Sequence, residues 1–178
     1  MDEPRWLDER EQCAWRRYLQ MNARLEARLH RQLQTDSGLS LADFDVLVHL
    51  TDRPEGRLRV LELADGLQWE KSRLSHHLTR MQKRGLIGRQ ECPQDGRGAF
   101  IVLTEDGRRA IEHAAPRHVA TVRELFLDQL DDDQVDVLGA IAERVLARLD
   151  DDPGPSRVSP PPAPSLGAPS EVTGTSPG

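Results

Sequence analysis

Seven Lys or Arg residues fall between positions 70 and 100 (Lys71, Arg73, Arg80, Lys83, Arg84, Arg89 and Arg97), against three acidic ones, Glu70, Glu91 and Asp95. A local surplus of positive charge suits phosphate binding, and guanidinium forks also match the hydrogen-bonding edge of guanine. The surplus stands out because the whole chain carries a formal net charge of −6, leaving about −10 for the remainder. Other chemistry is poorly represented. The chain has no GxxxxGK[ST] phosphate loop, no GxSxG elbow and no HExxH zinc motif, so no catalytic centre and no cofactor are expected. Its two cysteines, Cys13 and Cys92, form neither a CxxC pair nor a disulfide framework. His113 and His118 are five residues apart, about 140° around a helix, so they do not share a face as an i, i+4 ligand pair would. His30 and His49 are isolated, and no metal site is expected.

Placement sharpens the basic cluster. Leu74, Leu78 and Met81 form an apolar stripe over residues 70–84, which reads as a helix stopped by Gly85. With Leu74 at 0° and about 100° per residue, Ser72, His76, Arg80 and Lys83 fall between about 160° and 240°, on the opposite face. Arg73 lies at the edge of that face, and His77 nearer the apolar stripe. A helix of this length fits a DNA major groove. Ser72, Arg73, Ser75, His76 and Arg80 then suit base edges, and Lys71, Lys83, Arg84 and Arg89 suit the phosphate backbone. Farther on, Leu86-Ile87-Gly88-Arg89 and Ala99-Phe100-Ile101-Val102-Leu103 flank a Gly-rich turn and read as a β-hairpin. Arg97 at its tip suits a minor groove, braced by Asp95 through a charge-assisted hydrogen bond.

The elements that must hold these residues are mostly helical. Trp15, Tyr18, Leu25, Leu29 and Leu33 mark a helix over 10–35. Ser40-x-x-Asp43 reads as a capping box ahead of Phe44, Leu47 and Val48. A turn at 53–56 precedes a short helix with Val60, Leu63, Ala64 and Leu67. After the hairpin the helical pattern resumes from Thr104 to about Gln129, with a kink expected at Pro116. Asp131-x-x-Gln134 can cap a last helix bearing Val135, Leu138, Ile141, Val145 and Leu149. The order is a mainly α winged helix-turn-helix with a small β-hairpin wing. From Asp150 onward, 17 of 29 residues are Pro, Gly or Ser, and residues 150–178 read as a disordered tail. At 178 residues the chain suits one domain with this appendage. No stretch suits a membrane helix, and the charged N-terminus does not suit a secretory signal, so a cytoplasmic protein without a membrane partner is expected.

The stretch Leu63-Ala64…Leu67…Ser72-x-Leu74-Ser75-x-x-Leu78-x-x-Met81-x-x-x-Gly85-Leu86-Ile87-x-Arg89 resembles the MarR family of winged helix-turn-helix regulators. The resemblance continues through Asp95-Gly96-Arg97-Gly98-Ala99-Phe100-Ile101-Val102-Leu103-Thr104-x-x-Gly107, whose Asp-x-Arg wing and Leu-Thr-x-x-Gly are its most specific part. It implies a MarR-like domain over 1–149, with a DNA-binding lobe at about 40–104 and dimerisation helices at about 5–36 and 105–149. It also implies that residues 70–84 are the recognition helix and Arg97 the minor-groove arginine. The expected protein is a sequence-specific transcriptional regulator, a homodimeric repressor of a pseudo-palindromic duplex DNA operator, and not an enzyme. The apolar excess on the terminal helices (Trp15, Tyr18, Val122, Leu125, Phe126, Leu138 and Ile141) fits such a dimer. Two symmetry-related helices then read half-sites about 34–36 Å apart. Release by a small aromatic or lipophilic effector follows from the same resemblance, with Trp15, Tyr18, Phe44 and His49 as candidate cleft residues. Two alternatives share the fold. One is a winged-helix protein-interaction module; the other is a redox-sensing regulator acting through Cys13, which has Arg16 and Arg17 close in sequence.

Overall fold

The computed structural model describes residues 4–91 and 99–151. The first helix, α1 (Glu9–Ser37), begins in a reciprocal cap: Asp8 Oδ1 accepts from the Glu11 N–H at 2.7 Å, and the Glu11 carboxylate accepts from the Asp8 N–H at 2.9 Å. It ends at Gly38, whose φ of 67° is the left-handed conformation that closes a helix most easily without a Cβ. The expected Ser40-x-x-Asp43 box is formed at the start of α2 (Leu41–Thr51).

Three strands follow rather than two. The additional strand, β1 (Arg57–Arg59), is only three residues long, too short for an alternating pattern to register in the sequence. It pairs antiparallel with β3 (Ala99–Leu103), Leu58 opposite Ile101. The expected hairpin strands are β2 (Ile87–Glu91) and β3, paired from Ile87 opposite Leu103 to Glu91 opposite Ala99. The sheet order is β1-β3-β2, so β3 is central. Between β1 and β2 lie α3 (Val60–Leu67) and α4 (Lys71–Lys83), as the apolar spacings predict. Leu33, Leu39, Leu47, Leu50, Leu63, Leu74, Leu78, Met81, Ile87 and Ile101 form a fully buried core among α1, α2, α3, α4 and the sheet.

The next helix, α5 (Glu105–Leu125), runs through Pro116 as one helix, followed by a 3-10 turn at Leu127–Gln129. A proline lacks only one backbone donor, and the helix continues where packing on α1 holds it. The chain divides after Asp131 into two compact units. The second contains α6 (Asp132–Asp151), whose Val135, Ile141, Val145 and Leu149 are exposed.

The root of the hairpin is fixed by two residues of the Leu-Thr-x-x-Gly segment. Thr104 caps α5: its Oγ1 accepts from the Gly107 N–H at 3.0 Å and donates to the Gly85 carbonyl at 2.6 Å. Gly107 itself lies so close to the backbone just before β2 that a Cβ there would overlap the Leu86 carbonyl oxygen. Gly107→Ala must therefore push α5 off the sheet. It should lower the unfolding free energy by about 1–3 kcal/mol, the usual cost of overpacking, readable as a lower midpoint in urea.

Candidate nucleic-acid interface

The recognition-helix expectation concerns α4, which is 13 residues long and so about 20 Å. Leu74, Leu78 and Met81 are fully buried beneath it. Lys71, Ser72, Arg73, Ser75, His76, Arg80 and Lys83 are all exposed. Helical periodicity forces this division: one stripe seals the core, and the cations are left on the other side. The turn into α4 is tight. Gln68, at φ 53°, closes α3 in the left-handed region, and the Trp69 N–H donates back to the Ala64 carbonyl at 3.0 Å.

Beneath this face lies a polar cluster that the sequence reading did not anticipate. The Asp43 side chain is only 4% exposed. It receives the Ser40 N–H at 2.9 Å, the Arg84 Nη1 at 2.6 Å, and lies 3.1 Å from His77 Nε2. Burial pushes the Asp43 carboxyl up, but His77, the Ser40 backbone, Arg84 and the Ser40 hydroxyl together outweigh it and hold the group well below the usual carboxylate range. His77 is buried, and its ring stands edge-on to Trp69 with centroids 5.4 Å apart. Capping spacing alone identified Asp43, but its two partners are 34 and 41 residues away. The one available signal was the position of His77 beside the apolar stripe.

Arg84, a candidate phosphate contact, also has partners within the chain. Its Nη1 is held by Asp43, and its Nη2 donates to the Gly38 carbonyl at 2.9 Å, which ties the end of α4 to the turn after α1. The side chain itself stays exposed. Arg73 and Arg80 are exposed but also held. The Arg73 guanidinium carbon lies over the Trp69 ring, 4.4 Å from its centre, and Arg80 Nη2 lies 3.3 Å from His77 Nδ1. On the sheet, Arg89 lies opposite Ile101 and shares its face. Arg57 and Arg59 lie on the other face, 4.9 and 5.4 Å from the centre of the Phe100 ring. They are two further cations beside the hairpin, missed because β1 was missed. Asp95, Arg97 and Cys92 lie outside the described residues.

The candidate effector residues are not brought together within the chain. Trp15 and Tyr18 stack on each other, 5.6 Å apart and half exposed, on α1. They sit about 20–27 Å along that helix from Leu33, the α1 residue in the core. Phe44 is in that core and packs against His118, ring centroids 4.4 Å apart. His49 is half-buried, its Nδ1 2.9 Å from the Asp45 carbonyl. Helical rise separates residues that type alone had grouped. Cys13 is exposed on α1, in a shallow depression that Arg16 and Arg17 also line. Among the described residues no His, Cys, Asp and Glu cluster suits a metal, and no helix is long and apolar enough to cross a membrane.

A MarR family model matches residues 37–98. Sco3205, a MarR family transcriptional regulator of Streptomyces coelicolor solved in complex with DNA, shares 42% identity with this chain. The two superpose with a TM-score of 0.80 over 84% of this chain and 93% of Sco3205. The chain belongs to the MarR family. An uncharacterized HTH-type transcriptional regulator of Bacillus cereus is 34% identical over 107 residues, 60% of this chain and 69% of its own. The HTH-type transcriptional repressor YetL of Bacillus subtilis is 31% identical over 111 residues, 61% of this chain and 66% of its own. This MarR family member is therefore a transcriptional regulator and not an enzyme, and its mostly helical fold with a small antiparallel sheet is the family's winged helix.

The depressed Asp43 carboxyl has a pH signature. Above its ordinary value of 3.8 the group is ionised whether the chain is folded or not, and its stabilising contribution is complete. Below that value the unfolded chain takes up the proton first, so the contribution is lost progressively as pH falls toward the folded-state pKa. Wild type should exceed Asp43→Asn in stability by a constant margin above about pH 5, and the margin should close as pH drops below about 4. Denaturant titrations across that range measure it; a margin independent of pH would mean that Asp43 is not an ionised partner of His77 and Arg84.

Proposed function

We propose that this MarR family regulator binds a pseudo-palindromic duplex DNA operator as a homodimer, in the cytoplasm, and represses transcription until a small effector releases it. The observation that carries the reading is the α4 face: every cation on it is exposed, directly opposite a fully buried apolar stripe. In this reading Ser72, Arg73, Ser75, His76 and Arg80 face base edges. Lys71, Lys83 and Arg89 contact phosphates, with Arg57 and Arg59 as further cations near the hairpin. Asp95 and Arg97 take the minor groove. The DNA complex of Sco3205 and the repressor name of YetL support the same assignment.

Residues 40–104 serve as the DNA-binding lobe, and 5–36 with 105–149 as dimerisation helices. Support for the dimer comes from large apolar side chains left exposed in the single chain. These include Trp6, Trp15, Tyr18, Leu19 and Met21 near the start of the chain, and Ile141, Val145 and Leu149 on α6. A two-fold axis presents two copies of α4 to successive major grooves on one side of the duplex. An aromatic or lipophilic effector that prefers a different spacing of the two helices lowers operator affinity by its differential binding energy. Because Trp15 and Tyr18 lie far along α1 from Phe44 and His49, an effector site using both pairs needs the second protomer.

Binding-site selection from genomic DNA with the purified full chain tests the reading. The expected product is an inverted repeat with half-site centres about one helical turn apart, occupied by two protomers. Recovery of no common sequence, with binding no tighter than to random duplex, would leave the fold without this function. On the selected operator, Lys83→Ala should reduce the slope of log affinity against log salt by about one unit. Arg97→Ala should both weaken binding and flatten that slope. Arg84→Ala should leave the slope as in wild type, while lowering the unfolding free energy by about 1–2 kcal/mol through loss of a partner to the buried Asp43.

A further inference from the structure

The α4 arginines expected to read bases are not free side chains: both are held in place, and by linked partners. The Arg73 guanidinium carbon lies over the Trp69 ring, 4.4 Å from its centre, while Trp69 meets the His77 ring edge-on at 5.4 Å and 86°. On the other side of His77, Nδ1 lies 3.3 Å from Arg80 Nη2, and Nε2 lies 3.1 Å from Asp43 Oδ1. A guanidinium has donors only, so in a hydrogen bond between the two Nδ1 is the acceptor and Arg80 the donor. Asp43 in turn is anchored by Ser40 and Arg84. A continuous chain of contacts thus runs from the first turn of α2 through buried His77 to both exposed arginines.

We propose that Trp69 and His77 are positioning residues that hold Arg73 and Arg80 as a preformed pair, and that the pair reads two guanines two to three base-pair steps apart in each half-site. A cation–π contact places the Arg73 charge against the ring without a conventional hydrogen-bond acceptor, so N–H groups stay available; one hydrogen bond to His77 leaves Arg80 four of its five donors. Either fork can therefore still engage guanine O6 and N7. The two residues are seven apart, so they lie about 20° apart around α4 and about 10.5 Å apart along it. At about 3.4 Å rise per base pair, that spans three steps along the duplex axis, or slightly more than two along the inclined groove. An unrestrained arginine loses rotamer freedom when it docks; one already fixed loses little, so the held pair gains both affinity and discrimination. The inference rests on the reading of α4 as the base-contacting helix.

The test uses the selected operator, versions with each half-site guanine replaced in turn, and the full-length protein. His77→Gln keeps a donor for Asp43 but loses the acceptor at the Nδ1 position, whereas His77→Asn keeps an acceptor there for Arg80. His77→Gln should lower discrimination at one guanine about three- to tenfold and leave the other unchanged, and His77→Asn should restore most of it. Trp69→Leu should produce the same loss at the second guanine, and Trp69→Phe, which retains an aromatic face, should recover it. Thermal melts establish that each variant is folded. If the folded variants weaken all operators equally, Trp69 and His77 are structural only and the proposal is overturned. It also fails if the selected half-site lacks two guanines at this spacing while Arg73→Ala and Arg80→Ala still relax preference at particular bases. If Arg73→Ala and Arg80→Ala weaken every sequence equally, α4 does not read bases, and the underlying reading falls with it.

Discussion

One buried carboxylate organises the surface of this protein. Asp43 completes the cap of α2 and at the same time accepts from Arg84 and faces His77, so the start of one helix is tied to the middle and end of another. Desolvation of a buried ion offsets much of its Coulombic gain, whereas loss of a partner leaves a charge stranded. The apolar stripe of α4 packs without directional bonds, whereas the contacts of Asp43 to Ser40, Arg84 and His77 are directional. Arg84 extends the tie to the turn after α1 through the Gly38 carbonyl.

A second constraint fixes the hairpin relative to α4. Gly85 ends the turn after α4 with a φ of 75°, its carbonyl accepts from the Thr104 hydroxyl, and Gly107 comes into contact with the backbone at Leu86. Helix end, strand root and the first turn of α5 therefore meet at one place. The missing side chain at Gly107 makes room for this junction.

The same α5 also reaches α1 and α2. His118 packs on Phe44 and its Nδ1 lies 3.2 Å from the Gln32 side-chain oxygen, and Arg117 pairs with Asp36. Burial pushes the His118 imidazole towards its neutral form, which suits its place against an aromatic ring.

The sequence by itself determined the order of elements, the helix boundaries set by Ser40-x-x-Asp43 and Gly85, and the polarity of α4. Each of these depends on the spacing of nearby residues: a 3.6-residue period puts Leu74, Leu78 and Met81 on one side whatever lies beneath them. It left β1 unseen, because three residues carry no usable period and the strand exists only through its pairing with β3. Only the tertiary structure decided that Arg84 meets Asp43, that His77 Nδ1 meets Arg80, and that Trp15 and Tyr18 lie far along α1 from the core that holds Phe44. Those facts depend on distances between residues remote in the chain, and local patterning encodes the face a side chain occupies but not the partner it meets there.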